Sequence, residues 1–274
     1  MSGTLKIIGL GPGSAGLITP DVKDALETAT DAIGYYPYVA RVIERSGLTI
    51  HGSDNRVELQ RAKQALELAG EGRHVVVVSS GDPGVFAMAS AVFEAVETGP
   101  LSWRELDISV LPGITAMLAA AARLGAPLGH DFCVINLSDN LKPWSIIETR
   151  LRLAVEADFA MAFYNPRSKA RPEGFEKALD LLKSACEKER LIMFARAVST
   201  PEESLLTVAL SDATPDMADM RTMVLVGSRQ TRLIPRENAD AGLPVAVMYC
   251  DSQGMLRDRI VALRNANIYA PHFY

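Results

Sequence analysis

Short apolar runs alternate with amphipathic helical segments through the first 128 residues of this chain. The strand-like runs carry few polar residues, as in the run of four valines at 75–78. Strands of that kind are expected where helices cover both faces of a sheet, which is the arrangement of parallel α/β domains. We predict a parallel sheet from strands at 5–10, 32–36, 75–78 and 108–111. Four helices are predicted between and after these strands. One begins at Pro20, and the others span about 58–69, 85–97 and 115–124.

A cluster of glycine, proline and small residues at 125–129 predicts a boundary between a domain at 1–128 and a second α/β domain at 129–232. The second domain holds strand-like runs at 132–137, 159–164, 191–195, 205–210 and 222–226, with helices at 143–157 and 173–188. The later runs are too close together for helical crossovers, so we expect a mixed, partly antiparallel sheet. Residues 233–274 form a C-terminal extension, with an apolar run at 245–249 and a helix at 253–264, to which we assign no function.

Charge and cysteine content exclude several classes of protein. The formal net charge is −5 and no run of lysine or arginine dominates, which argues against nucleic acid as a partner. The three cysteines have no metal-ligand spacing, so we predict neither a disulfide framework nor a metal site. No stretch of the sequence is long and apolar enough for a membrane span, and we expect a soluble, cytoplasmic protein.

A glycine-rich turn at 9–13 follows the first predicted strand and only partly matches a dinucleotide-binding loop. Pro12 has no backbone N–H to offer a pyrophosphate, and the third glycine of the G-x-G-x-x-G pattern is replaced by Ser14. The second predicted strand ends at 35–37, Tyr-Tyr-Pro. A dinucleotide-binding domain is expected to carry an acidic residue there, which binds the ribose. The turn therefore favours a ligand without phosphate, although a nicotinamide-dependent oxidoreductase stays an alternative.

Two further loops, at 79–84 and 112–115, also follow the carboxyl ends of predicted strands, where ligands sit in open α/β sheets. Each has a purely structural interpretation, because Asp82 and Thr115 are both suitable N-cap residues, as is Thr19 before the first helix. Glycines in all three loops, however, would let one ligand contact the backbone after several strands, which capping alone does not require.

The segments at 9–13, 80–86 and 111–116, in that order, resemble the tetrapyrrole methylases, which methylate porphyrinoid carbons with S-adenosylmethionine. The resemblance extends over residues 1 to about 232 and includes the segment 222–228, which is similar to the last strand of the family. The segments 132–144 and 163–168 most resemble the branch that methylates C17 of precorrin-3B and contracts its ring in cobalamin biosynthesis.

The resemblance implies a fold of two α/β domains, a homodimer, and S-adenosylmethionine as the methyl donor, with S-adenosylhomocysteine as product. This cofactor carries no phosphate, which agrees with Pro12. By motif position, the implied cofactor-binding residues are Gly11, Pro12, Gly81, Asp82, Val85, Phe86, Thr115, Ala116, Leu137, Phe163, Tyr164, Thr222, Met223 and Gly227.

The chemistry that the resemblance implies is an in-line methyl transfer, which needs positioning rather than a protein nucleophile. The four histidines are scattered along the sequence, and no Ser-His-Asp or Cys-His pattern is present. Ring contraction requires the loss of a proton from a substrate hydroxyl, and Asp82 is our first candidate for the general base. Asp139 and the carboxylates of the substrate are alternatives.

A precorrin carries many carboxylates, so a net-acidic protein must bind it with local cations. The candidates follow two predicted strands of the second domain, where a merely solvated basic loop is the alternative. They are Arg167, Lys169, Arg171 and Arg196.

Three other functions remain compatible with the sequence. One is methylation of another macrocycle carbon, or of a diphthine precursor or ribosomal RNA, by a member of the same superfamily. The others are the nicotinamide-dependent oxidoreductase and a non-catalytic α/β binding protein.

Overall fold

The computed structural model describes residues 3–168, 170–234 and 247–250. It separates into two compact units, Met1–Ala116 and Met117–Tyr274. The domain boundary near residue 128 stays a prediction. The predicted helix at 253–264 lies outside the described residues. Within the described part of the chain, no helix has the length and hydropathy needed to span a membrane.

The first unit is built on a five-stranded parallel sheet with the strand order β3-β2-β4-β1-β5. This confirms the predicted parallel α/β arrangement. In chain order its elements are β1 (Thr4–Gly9), α1 (Pro20–Thr28), β2 (Asp31–Tyr35), α2 (Tyr36–Val39), β3 (Thr49–Ser53), α3 (Glu58–Gly70), β4 (His74–Ser79), α4 (Met88–Thr98) and β5 (Asp107–Leu111).

The core of this unit explains why its central strands are uninterrupted apolar runs. Val75 and Val77 on β4 pack with α3 and α4 on one face of the sheet, whereas Val76 and Val78 pack with α1 on the other. All four valines are almost completely buried. A strand enclosed on both faces has no position at which a polar side chain would meet solvent.

A buried carboxylate joins three strands at the amino end of this sheet. Asp31, at the start of β2, is 1% exposed and accepts hydrogen bonds from His51 Nε2 at 2.8 Å, Arg73 Nε at 2.9 Å and Thr30 Oγ1 at 2.7 Å. Burial alone would raise the pKa of Asp31, but these hydrogen bonds outweigh it and hold the pKa below its usual value of 3.8. The cluster contributes to stability at the end of the sheet opposite to the glycine loops.

The second unit contains a five-stranded mixed sheet with the order β6-β7-β10-β8-β9. Only β6 and β7 are parallel, and the other neighbours are antiparallel, which confirms the predicted mixed sheet. Its elements are α5 (Ala116–Leu124, which begins at the unit boundary), β6 (Phe132–Asn136), α6 (Trp144–Glu156), β7 (Ala160–Tyr164), α7 (Glu173–Ala185), β8 (Leu191–Arg196), β9 (Ser204–Ala209), β10 (Thr222–Val226) and the hairpin β11 (Thr231–Ile234) and β12 (Val247–Cys250).

Some local predictions were wrong. Helix α4 begins at Met88 rather than at residue 85, because Phe86 has a φ of 54°, which no α-helix accommodates. Strand β3 was missed, since it carries one strongly apolar residue in five. Thr19 does precede α1, but its hydroxyl makes no capping bond and instead donates to the Pro112 carbonyl at 3.3 Å.

Candidate active site

Three loops meet at the carboxyl edge of the parallel sheet in the first unit. The first glycine loop (9–13), the second (79–84) and the third (112–115) follow β1, β4 and β5, which are neighbours in the sheet. Gly11 and Gly81 exchange two backbone hydrogen bonds, with N···O distances of 3.2 and 3.0 Å. The loops that the sequence singled out therefore do lie together.

Two glycines in these loops, Gly9 and Gly113, are required by the packing of one loop backbone against another. A Cβ added to Gly113 would lie 2.1 Å from the Gly81 carbonyl oxygen, and one added to Gly9 would lie 2.3 Å from the same atom. Gly11 and Gly81 also adopt positive φ angles of 66° and 63°. From the sequence, these glycines were predicted to allow a ligand to approach the backbone. In the structure, Gly9 and Gly113 allow the loops to pack against each other.

Asp82 links the second loop to the third. One carboxylate oxygen accepts the Gly84 N–H at 2.8 Å and the other accepts the Gly113 N–H at 3.0 Å. Because α4 does not begin until Met88, the structural alternative in which Asp82 caps that helix is wrong. Both oxygens of Asp82 thus fix the shape of the loops, and its role as a general base stays a prediction.

Arg41 holds the first glycine loop from a position that the sequence analysis missed. Its Nη1 donates to the Gly11 carbonyl at 3.1 Å, and its Nη2 donates to those of Leu10 at 2.6 Å and Gly13 at 3.2 Å. Burial lowers the pKa of the guanidinium, partly opposed by the nearby Tyr38. No local pattern signals this contact, since Arg41 lies 30 residues from Gly11 and follows α2 in the chain.

The backbone of the first loop is poorly suited to phosphate. The Leu10 N–H is bonded to Ser79 O at 2.9 Å and the Gly11 N–H to Gly81 O, while Pro12 has no N–H. Helix α1 does not begin until Pro20, after a short 3-10 turn at Ala15–Leu17. A dinucleotide site needs free N–H groups and a helix N-terminus within the loop, and neither is provided at these positions.

Other predicted cofactor residues of the first unit surround the same loops. Phe86 is half-exposed and holds a left-handed backbone conformation that is costly for a non-glycine residue. Thr115 is buried, and its Cα lies 3.6 Å from the place that a Cβ on Gly81 would occupy. Val85 and Ala116 are partly exposed beside them in the sequence.

In the second unit, the predicted residues Leu137 and Tyr164 lie at the carboxyl ends of β6 and β7. The Leu137 N–H donates to the Tyr164 carbonyl at 3.0 Å, which extends the parallel pairing by one residue. The Tyr164 hydroxyl accepts the N–H of Met117, in the first turn of α5, at 3.2 Å. The side chains of Leu137 and Phe163 belong to the hydrophobic core of this unit, so a ligand could reach them chiefly through the backbone.

Thr222, at the start of β10, is oriented by an ion pair. Its hydroxyl donates to one oxygen of Asp219 at 2.8 Å, while Arg196 Nε donates to the other oxygen at 2.8 Å. Burial would raise the pKa of Asp219, but these hydrogen bonds hold it below its usual value. Arg196 is thus already paired with a carboxylate through Nε, which leaves its Nη groups for the predicted substrate binding.

The remaining predicted cofactor residues lie at and beyond the same strand. Met223 is buried, and the carbonyl of Gly227 accepts a hydrogen bond of 2.9 Å from Arg190 Nη1. A Cβ on Gly227 would lie 2.6 Å from the Cβ of Thr231, so only glycine fits this turn.

Two of the predicted substrate-binding cations form no ion pair in the described part of the chain, although Arg167 is near enough to Asp216 to help lower the pKa of that carboxylate. Arg167 and Arg171 are half-buried in the loop after β7 and form no ion pair there. The side-chain contact of Arg171 is with Met220 Sδ at 4.0 Å. Lys169, between them, lies outside the described residues.

The family model for the Tetrapyrrole (Corrin/Porphyrin) Methylases matches residues 4–214. The chain belongs to the tetrapyrrole methylase family. This match includes all three glycine loops and both five-stranded sheets except β10. The family resemblance seen in the sequence is confirmed, and membership in a family of methyltransferases disfavours the oxidoreductase and the non-catalytic binding protein.

Two relatives show how closely a tetrapyrrole methylase can match this chain. A precorrin-3B C(17)-methyltransferase from Sinorhizobium sp is 50% identical over 237 residues, which cover 86% of this chain and 93% of the relative. A probable cobalt-factor III C(17)-methyltransferase from Salmonella typhimurium is 38% identical over 234 residues, with 83% and 93% covered.

Two solved structures are similar to this chain over most of its length. A crystal structure of the methyltransferase CobJ superposes with a TM-score of 0.83 and 64% identity, and the match covers 85% of this chain and 97% of that one. A uroporphyrin-III C-methyltransferase from Thermus thermophilus, solved in complex with S-adenosylhomocysteine, has a TM-score of 0.62 at 18% identity, covering 82% of this chain and 97% of that one. At that identity the second likeness shows the fold alone.

Proposed function

We propose that this tetrapyrrole methylase transfers the methyl group of S-adenosylmethionine to C17 of precorrin-3B, with contraction of the macrocycle, in cobalamin biosynthesis. The observation that carries the proposal is the meeting of three glycine loops at one sheet edge in a backbone arrangement unsuited to phosphate. Identity to a C17-methyltransferase over nearly the whole length of both chains supports the choice of substrate carbon.

Residues of the three loops are proposed to hold the methyl donor. Gly11, Pro12 and Gly81 would present backbone, Phe86 an exposed ring, and Thr115 with Ala116 the start of α5. By motif position, the same role is proposed for Asp82, Val85, Leu137, Phe163, Tyr164, Thr222, Met223 and Gly227. The donor supplies an electrophilic methyl group, so the protein's task is to align the substrate carbon with it at about 3 to 3.5 Å.

Arg167 and Arg171 are proposed to bind carboxylates of the macrocycle. Neither forms an ion pair among the described residues, and Arg171 is the freer of the two, because Arg167 also acts on the carboxylate of Asp216. Arg196 is the weaker candidate because it is paired with Asp219. Asp82 is proposed as the group that removes the proton from the substrate hydroxyl, and each of its oxygens, which accepts one backbone N–H, keeps a lone pair for that proton.

Turnover of purified protein tests the proposal directly. Incubation with precorrin-3B and methyl-labelled S-adenosylmethionine should give a ring-contracted product with one labelled methyl group at C17, identified by mass spectrometry and NMR. Parallel incubations with cobalt-factor III and with uroporphyrinogen III test the nearest alternatives. Label at another carbon, or turnover of cobalt-factor III alone, would overturn the proposed substrate but not the family.

The assembly is proposed to be a homodimer, on the family resemblance alone. Light scattering after size-exclusion chromatography would distinguish a dimer from a monomer.

A further inference from the structure

The segments that follow β6 and β7 leave the second sheet side by side. These strands are parallel neighbours with Asn136 opposite Tyr164, so both segments emerge at the same edge. Asn165 Nδ2 donates to Asn136 Oδ1 at 3.1 Å, and Asn136 Oδ1 also accepts the Ser138 N–H at 2.9 Å. These hydrogen bonds fix the start of both segments, so that charged side chains on the two segments lie in one region.

Lys142 lies in the first of these segments and is held in place. Its ammonium donates to the Ser138 carbonyl at 2.9 Å, which uses one of its three N–H groups. Burial lowers the pKa of Lys142, and so do the positive charges of Arg150 and Arg171, while Asp139 opposes them. Two like charges therefore lie near a partly desolvated lysine, and Asp139 offsets them only in part, so a further anion would be favourable there.

In the part of the chain that the structure describes, the two cations of this region lack the carboxylate partners that several arginines elsewhere in the unit have. Arg123, Arg190 and Arg196 are each paired with a carboxylate. Among the described residues, Lys142 and Arg171 have no carboxylate within ion-pair distance. Nearby, α6 begins at Trp144 with no acidic residue in its first turn, so its amino end adds charge of the same sign.

We propose that Lys142, together with Arg171, forms a subsite for one carboxylate side chain of the tetrapyrrole substrate. The inference rests on the proposed function for its ligand class, since a precorrin carries several acetate and propionate groups. Two N–H groups of the ammonium remain for the ligand, and the Arg171 guanidinium supplies a second cation with donors of its own. The bond to Ser138 holds the ammonium so that less side-chain entropy is lost on binding.

The test compares Lys142→Gln and Lys142→Arg with Lys183→Gln. Lys183 is a matched control, because its ammonium also donates to a backbone carbonyl, that of Ala213 at 2.7 Å, but from the last turn of α7. Losing one charge-assisted hydrogen bond predicts about a tenfold rise in the KM for precorrin-3B in Lys142→Gln. The kcat and the Kd for S-adenosylmethionine should stay near wild type, and Lys142→Arg should recover most of the loss.

Direct binding separates this inference from the proposed reaction. Uroporphyrin III, a stable polycarboxylated macrocycle, serves as a probe whose binding requires no turnover, and Lys142→Gln should weaken its binding about tenfold. If wild type binds the probe in a Lys142-dependent way but does not methylate precorrin-3B, the proposed reaction fails and the subsite stands. If substrate and probe affinity are unchanged in Lys142→Gln, or fall equally in Lys183→Gln, the subsite is refuted. If Lys142→Gln also lowers the thermal stability and the affinity for S-adenosylmethionine, the subsite is refuted and Lys142 only holds its loop in place.

Discussion

Replacing Gly113 by alanine should disrupt the meeting point of the three glycine loops. The new Cβ would lie 2.1 Å from the Gly81 carbonyl oxygen and 2.7 Å from that of Gly9, both backbone atoms that no side-chain rotation can move. Ordinary contact is above 3.4 Å, so at least one loop must shift by more than an ångström. Overpacking of this kind costs about 1 to 3 kcal/mol. The shift would also strain the Gly113–Asp82 hydrogen bond, whose loss costs about 1.5 to 3 kcal/mol because the acceptor is charged.

We therefore expect Gly113→Ala to lower the free energy of unfolding by about 3 kcal/mol, and to weaken S-adenosylmethionine binding more than tenfold. Urea unfolding and calorimetric titration measure the two effects. Gly84→Ala, with its Cβ 3.2 Å from an Asp82 oxygen, should cost much less, and Gly70→Ala, with nothing within 4 Å at the end of α3, should be neutral or stabilising. Wild-type stability and cofactor affinity in Gly113→Ala, or a different order among the three variants, would refute the packing argument.

Two other perturbations follow from described contacts. Arg41→Lys removes the planar group that binds three carbonyls of the first loop, and should raise the Kd for S-adenosylmethionine by about tenfold with little effect on the KM for the macrocycle; equal changes in both would contradict a local role. Asp31→Asn should lower the free energy of unfolding at pH 7. Because the folded-state pKa of Asp31 lies below its ordinary 3.8, its stabilisation is complete above that value and is lost as the pH falls through the folded-state pKa. The difference between wild type and variant in urea unfolding should therefore narrow below pH 3.8, and a constant difference would contradict this assignment.

Sequence alone predicted those parts of the fold that depend on local pattern. The valines of β4 predicted a strand buried on both faces, and the close spacing of the later runs predicted a mixed sheet, because both signals are set by neighbouring residues. The start of α4 could not be predicted, since it depends on the left-handed conformation of Phe86. Arg41 could not be found either, because it contacts residues about 30 positions away, and the proximity of Lys142 to Arg171 likewise joins segments that are distant in the sequence.

The first glycine loop shows how a prediction made from one residue can depend on contacts that only the structure reveals. A phosphate-bearing cofactor was predicted to be absent because Pro12 lacks an N–H. One missing donor does little to prevent phosphate binding when neighbouring N–H groups are free. In the structure, the N–H groups of Leu10 and Gly11 are bonded to the second loop, and Arg41 binds three carbonyls of the first. Substituting Pro12 would add one donor next to the bonded N–H groups of Leu10 and Gly11, and α1 would still begin only at Pro20, so the change could not by itself create a pyrophosphate site. The predicted preference for a phosphate-free ligand therefore rests on the packing of the three loops, and Pro12 is only its most visible sign in the sequence.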